Sequence, residues 1–429
     1  MAHCPVKPSQ WVMPMISDSI LKREKLNKNS NARNKRACFI GYYKNGDIMN
    51  LYKKALEIKD EIIAHRRFLH ENAEMGLNMP KAVNYILREL NKIGLIPQKC
   101  GGGVTATLGE GKPLLLLRAD MDALPMNEES GLSFASKTHC AHTCGHDFHT
   151  AFLLGAAKLL KEREKELTGR IKLMFQPSEE NLKGCQNMLL NGLLDEAPDF
   201  ALSFHVGAGQ IPVGTVMYNS NSVMMYSADR FEIRIHGKGG HGAIPSLNAD
   251  PVKTAVEIYA ALKILAEKEN VLITIGKFIG GDTDNIIPDT ATLGGSLRTD
   301  SKDKQEQILW EMKEIAEEIS TKNQCALNWI LNASVPPLVC NRKFTEKVIG
   351  FLRDLDIENY KEIPDINVTA SDDFSLITDK IPSAYIYLAC GFLDERGIYT
   401  AHNPKVLFNE DVCPIGVAAF AHCAYKLLK

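Results

Sequence analysis

Between His142 and His149 the chain reads His-Thr-Cys-Gly-His-Asp-Phe-His, which places three imidazoles, a thiol and a carboxylate within eight residues. These are the side chains that hold transition metals, so the stretch reads as a metal site. Cys144 and His146 are two apart and would point to nearly opposite sides of a regular helix. Both reach one site only from irregular backbone, which Gly145 permits. An apolar pattern of helical period follows from Thr150, with Asp147 placed near its N-cap, so the cluster sits where a loop enters a helix. A structural zinc knuckle from Cys140, Cys144 and two of the histidines would use the same residues, and the cluster alone does not choose between the two.

Gln176-Pro-Ser-Glu179-Glu180 sets two carboxylates side by side where a strand runs out. Neighbours on extended backbone face opposite ways, which predicts different tasks for them: one carboxylate on a metal, the other taking a proton from the nucleophilic water. An ordinary acidic loop has the same letters. His205 ends an apolar strand and His402 lies in Ala-His-Asn-Pro; either is a metal ligand or a satisfied structural histidine. Gly237-Lys-Gly-Gly-His241-Gly-Ala-Ile-Pro245 presents one imidazole on glycine-rich backbone and lacks the spacing of a phosphate-binding loop. From there His241 could reach a neighbouring site to stabilise developing charge, or simply stand exposed on a tight hairpin. Asn285 lies in a polar turn before a strand that Arg298 closes.

The elements that position these residues alternate between short apolar strands and helices, the pattern of an α/β fold with a mostly parallel sheet. Strands are expected at 114–118, 171–175, 200–205 and 384–389, and the polar groups follow their carboxyl ends, where open α/β sheets bind ligands. Residues 49–226 and 333–429 read as one domain that begins with a helix at Met49 and has a second helix from Pro80 to Ile93. It closes with a helix from Ile415 to Leu428. Residues 227–332 read as a smaller inserted α/β sandwich, with strands at 230–236, 271–278, 290–298 and 325–331 and helices at 251–267 and 303–320. The first of these helices shows an apolar face of Val252, Ala255, Ile258, Tyr259 and Leu262. Residues 1–48 are rich in Lys, Arg and Asn without hydrophobic periodicity and read as a disordered or non-native extension, with Met49 a candidate start.

A chain of 429 residues with 45% hydrophobic residues can bury cores for two domains. Fifty basic against fifty-two acidic residues give no reason to expect a nucleic-acid or anionic-membrane partner. Eleven cysteines without regular spacing predict reduced thiols and a cytoplasmic protein.

Taken in order, Leu117-Arg-Ala-Asp-Met-Asp-Ala-Leu-Pro125, HTCGHDFH, QPSEE, Ser203-Phe-His-Val, GKGGHGAIP, Asn285-Ile-Ile-Pro, Gly294-Gly-Ser-Leu-Arg298 and Ala401-His-Asn resemble the metal-dependent aminoacylase and carboxypeptidase superfamily. The similarity is to its amidohydrolase branch of hippurate hydrolases, N-acetyl-amino-acid deacetylases and auxin-conjugate hydrolases, and it runs from His65 to the C-terminus. It implies metal ligation by Cys144, His146, Glu180, His205 and His402, with Glu179 as general base and Asp122 orienting the site. It further implies that His241 assists the tetrahedral intermediate from a lid that often forms a dimer surface, and that Asn285 and Arg298 bind substrate. Five protein ligands exceed the four of one tetrahedral zinc, so two divalent ions per subunit are expected, zinc or manganese, with cobalt or nickel as further fits. Two positions depart from the family pattern: Ala73 stands for a proline and Asp372 for a glutamate. The implied activity is hydrolysis of an N-acyl amino acid by a homodimer or homotetramer, with no nucleic-acid or membrane partner. A dipeptidase or an N-carbamoyl-amino-acid hydrolase is the alternative within the superfamily, and a protein with a purely structural metal is the alternative outside it.

Overall fold

The computed structural model describes residues 51–244 and 247–429. The expectations for residues 1–48, the helix start at Met49 and Pro245 of the glycine-rich turn lie outside the described residues.

The described chain opens with helices α1 (Leu51–Glu57), α2 (Lys59–Glu71) and α3 (Pro80–Lys92). Strands β1 (Gln98–Cys100), β2 (Gly103–Gly109) and β3 (Leu114–Asp120) follow, then α4 (His146–Lys161), β4 (Arg170–Gln176), α5 (Gly184–Leu190), β5 (Phe200–Pro212), β6 (Thr215–Tyr218) and β7 (Val223–Met225). The middle of the chain supplies β8 (Ala228–His236), β9 (Gly240–His241), α6 (Pro251–Glu269), β10 (Leu272–Gly280), β11 (Ile286–Ile287), β12 (Thr290–Arg298), α7 (Lys302–Lys322) and β13 (Ala326–Val335). It ends with β14 (Leu338–Val339), α8 (Arg342–Arg353), β15 (Lys361–Ile363), α9 (Ser375–Thr378), β16 (Ser383–Gly391) and α10 (Cys413–Leu428).

The larger sheet has eight strands in the order β1-β2-β4-β3-β5-β16-β6-β15. Its centre, β4-β3-β5-β16, is parallel throughout, and antiparallel pairs flank it on both sides. Every residue of β3 is buried, because this strand is covered on both faces, which is why it reads as an unbroken apolar run in its first half. Helix α10 is apolar almost all round because it is packed inside the same core, not because it meets lipid: the Glu410–Leu428 stretch has the length and hydropathy of a membrane span but is 83% buried. It lies close against α4, where added Cβ atoms would stand 2.2 Å from the Phe152 ring at Gly416 and 2.6 Å from Val417 at Gly155. Those two glycines let the helix axes approach.

The inserted strands form a separate four-stranded sheet, β10-β12-β8-β13, with every pair antiparallel. Each strand-helix-strand crossover skips one strand, the split arrangement of ferredoxin-like units. Phe231, Ile233 and Ile235 of β8 alternate inward onto a core with Ile258 and Leu262 of α6 and Ile308 and Met312 of α7. Arg230, on the opposite parity, faces away from that core. Tyr259, expected on the packed face of α6, is 40% exposed; Thr254, Leu265 and Ala266 complete that face instead. The chain enters this unit after β7 and returns through β14, which pairs with β7.

Candidate metal centre and active site

The parallel strands deliver their polar ends to one edge of the sheet. Strand β3 ends at Asp120 with Asp122 just beyond, β4 runs into Glu179 and Glu180, and His205 lies on β5 in register with Tyr387 of β16. Helix α4 begins at His146 with Gly145 as its N-cap, two residues before Asp147, the expected cap. Asp147 stands in the first turn, and its carboxylate accepts from Arg66 Nε at 2.7 Å instead of capping the helix. Gly145 has φ +94°, and a Cβ there would meet Val206 Cγ2 at 2.3 Å, so both backbone angle and space require glycine between Cys144 and His146.

Ligand atoms of Cys144, His146 and Glu180 lie within 4.8 Å of one another. Cys144 Sγ is 3.6 Å from His205 Nε2, and His402 Nε2 is 3.5 Å from Glu180 Oε1. The five expected ligands therefore converge, whereas Cys140 of the alternative knuckle is in none of the potential ligand groups among the described residues. His205 points Nδ1 at the Val206 carbonyl at 2.7 Å, which orients Nε2 toward the cluster, the usual arrangement of a ligating imidazole. His149 is different: Nδ1 is hydrogen-bonded to Asp120 and Nε2 accepts from the Val206 amide at 2.9 Å, so neither nitrogen is left for a metal.

Glu179 and Glu180 occupy a turn, not extended backbone, and they do not face opposite ways: Glu179 Oε2 and Glu180 Oε1 lie 4.0 and 3.9 Å from His146 Nε2. Asp122 builds this turn. Its carboxylate accepts from the Glu179 and Glu180 amides at 2.9 and 3.2 Å, and its Oδ1 stands 3.5 Å from His146 Nδ1.

His146 Nε2 and Glu180 Oε1 are buried without a hydrogen-bond partner, a costly state that a cation between them would relieve. The electrostatics agree. Burial and the Glu180 charge push the Cys144 thiol up, and burial raises Glu180 against the pull of His146. Burial, Asp372, Glu180 and Asp373, in that order, hold the Glu179 carboxyl well above the usual range. Burial, then His146, lowers His402, whose neutral ring is the ligating form. A divalent ion would favour the anionic thiolate and carboxylate that this pocket otherwise disfavours, so the donor set fits a metal.

The wall behind Glu179 is acidic and was missed as a site feature. Buried Arg118 is 2.8 Å from Asp120, reaches both oxygens of Asp372 at 3.1 and 2.9 Å, and lies 3.5 Å from Asp373. Tyr385 donates to Asp372 at 2.8 Å. The signal was present: an arginine inside an apolar strand is rarely buried without carboxylate partners. Asp372, the departure from the family glutamate, thus serves Arg118. Ala73, the other departure, is buried after α2 and accepts from Thr138 Oγ1 through its carbonyl at 2.9 Å. The His70 ring nitrogens face Asp147, the neighbour of His146 in sequence, at 2.8 Å and Glu128 at 3.0 Å.

His241 and Asn285 are exposed on the β9–β11 ribbon of the inserted unit, and no described contact joins them to the cluster. His241 Nδ1 accepts from the Ala243 amide at 3.1 Å. Arg298 lies against the loop that leads into Asp372: it donates to Thr369 O at 3.1 Å and Ser371 Oγ at 3.2 Å. Arg230, which no motif marked, donates to the Glu180 carbonyl at 2.9 Å from the inserted sheet.

Residues 116–426 match the family described as Peptidase family M20/M25/M40. An IAA-amino acid hydrolase ILR1-like 2 of Arabidopsis thaliana is 35% identical over 88% of this chain and 88% of its own length. An N-acetyl-L-cysteine deacetylase of Bacillus subtilis is 34% identical over 82% of this chain and 85% of its own. The crystal structure of a dinuclear metal-binding peptidase of the M20 family from Bacillus subtilis superposes with a TM-score of 0.73 at 28% identity, covering 87% of this chain and 99% of that one. With the mixed α/β fold, the metal-type donor cluster and these likenesses in agreement, the chain belongs to peptidase family M20/M25/M40, as a metal-dependent hydrolase of its amidohydrolase branch.

Proposed function

We propose that this chain hydrolyses the amide bond of N-acyl amino acids, releasing a carboxylate and a free amino acid, with two zinc or manganese ions held by Cys144, His146, Glu180, His205 and His402. The observation that carries the reading is the Glu179–Glu180 turn: one carboxylate joins the donor cluster, and the other stands beside it, buried and 4.0 Å from His146 Nε2. When bound, the metals would polarise the scissile carbonyl and lower the pKa of a coordinated water. Glu179 accepts the water proton and returns it to the leaving amine, a transfer worth roughly two to four orders of magnitude in rate. Asp122 holds His146 and the turn in place, and Arg298, which gives one guanidinium nitrogen to Thr369 O and Ser371 Oγ, keeps further donors for the substrate carboxylate. The thiolate of Cys144 favours zinc, and the remaining donors also suit manganese, cobalt or nickel. His402, whose side chain is 53% exposed, leaves the centre open toward solvent, unlike a closed structural zinc.

The exposed positions of His241 and Asn285 fit a lid that reaches the centre only on closure or across a dimer. On this reading the inserted unit is that lid and also the surface on which subunits pair.

The test is release of free amine from acetyl, benzoyl, indoleacetyl and carbamoyl amino acids and a dipeptide, with metals restored to stripped protein. Acyl substrates turned over faster than the carbamoyl compound and the dipeptide support the reading. Preference for either of those two moves the activity to the alternative within the superfamily, and no release from any of them contradicts amide hydrolysis.

A further inference from the structure

A cavity of about 410 Å³ lies between the inserted sheet and the loop that carries the Glu179–Glu180 turn. Its polar lining is Ser178, Asn181 and Lys183 from the loop and Arg230 and Asn332 from the sheet, and no carboxylate lines it. The carboxylates of Glu179 and Glu180 point away from it, toward His146. Neither Lys183 nor Arg230 forms an ion pair among the described residues, although most of the described arginines are paired with carboxylates. Arg230 uses one N–H group on the Glu180 carbonyl, which leaves most of its five donors unspent.

The sheet is built toward this cavity. Arg230 stands on the open face of β8. Opposite it, the register of β13 slips between Leu331 and Ala333, so Asn332 is the extra residue of a bulge. Bulges re-aim side chains next to sites, and this one lines the cavity with an amide. A concave surface carrying charge of one sign concentrates ions of the other, and a guanidinium fork matches the geometry of carboxylate and phosphate oxygens.

We propose that this cavity binds a small oxyanion, a carboxylate or phosphate group, and that the bound anion fastens the inserted unit to the Glu179–Glu180 turn. The anion bridges Arg230 and Asn332 on one side to Lys183 and Asn181 on the other. Arg230, held at both ends, then fixes the Glu180 carbonyl. It acts as a positioning residue and the anion as an effector, distinct from the scissile substrate at the metals.

The test is calorimetric titration of the full chain with inorganic phosphate and, separately, with succinate, each in metal-loaded and chelator-stripped protein. One saturable site per chain is expected with at least one anion in both forms, and the tighter anion identifies the source chemistry. Arg230→Gln and Lys183→Gln should each weaken that site roughly tenfold or more, as loss of a charge-assisted hydrogen bond does. Lys183 is exposed, so its variant reports binding even where Arg230→Gln perturbs the fold. Amide exchange over residues 178–183 should slow when the anion binds wild-type protein. Absence of any saturable site, binding that disappears with the metals, wild-type affinity in both variants, or unchanged exchange would each overturn the proposal.

Discussion

Asp122 shows how much one side chain sets at this centre: a single carboxylate gathers the Glu179 and Glu180 amides and faces His146, so three side chains of the cluster share one support. Support of a different kind comes from His70, which places one ring nitrogen on Asp147 and the other on Glu128, an arrangement suited to the charged imidazolium. Burial opposes that charge, as does Arg66, but Asp147 and Glu128 outweigh them and raise the His70 pKa above 6.5. Burial likewise opposes ionisation of Glu128, yet hydrogen bonds and charge from His70, with Ser130 and the Ser136 amide, lower it from 4.5 to about 2. The depressed carboxyl contributes stability above pH 4.5 that is lost as pH falls toward 2, and the raised imidazole contributes stability below pH 6.5 that is lost as pH rises through its folded value. Urea unfolding of His70→Gln should therefore show its greatest deficit, about 3 kcal/mol, between these limits, shrinking on either side. A deficit independent of pH would remove the ionic account. The Cys144–His146 part of the donor cluster was legible because its letters are compact and of metal-binding type. The Arg118–Asp372 pair was not, since it joins residues 254 apart whose meeting only the assembled sheet decides.

At the level of elements, strands covered on both faces announce themselves by apolar runs, and strand 290–298 of the inserted unit was legible residue for residue. Strand β5 outran its expected end at His205 and continues to Pro212, because its second half loses the apolar run while keeping its pairing with β16. Strand β2 was missed: Gly-Val-Thr-Ala-Thr-Leu-Gly is bounded by glycine and antiparallel to β4, so neither a helix crossover nor a long apolar run marks it. The packing of α4 against α10 was hidden for a related reason, since glycines inside helices read as weak points until a neighbour is seen. Gly416→Ala would drive a methyl into the Phe152 ring, and overpacking of this kind costs about 1–3 kcal/mol. The loss should appear in denaturant unfolding, with metal affinity reduced as well, because α4 begins at His146. Wild-type stability would show that the two helices separate freely.

For the whole molecule, two hydrophobic cores built on separate sheets mean that no cation is needed to hold the chain together. Chelation should abolish hydrolysis while the far-ultraviolet circular dichroism stays near that of the loaded protein; global unfolding on chelation would mark the metal as structural. What the sequence left open is how the inserted unit stands over the catalytic edge, because Arg230 meets Glu180 across two units that fold on their own cores. The central claim concerns two adjacent carboxylates with separate tasks, and it is tested most directly by measuring metal content and turnover together in Glu179→Gln and Glu180→Gln. Glutamine keeps the reach of glutamate but accepts no proton at neutral pH and offers a metal no charge. Glu179→Gln should retain its metals and lose two or more orders of magnitude in turnover, as removal of a general base does, while Glu180→Gln should lose metal affinity. Metal lost from Glu179→Gln but kept by Glu180→Gln would reverse the assignment, and near-normal turnover in both would contradict hydrolysis at this site.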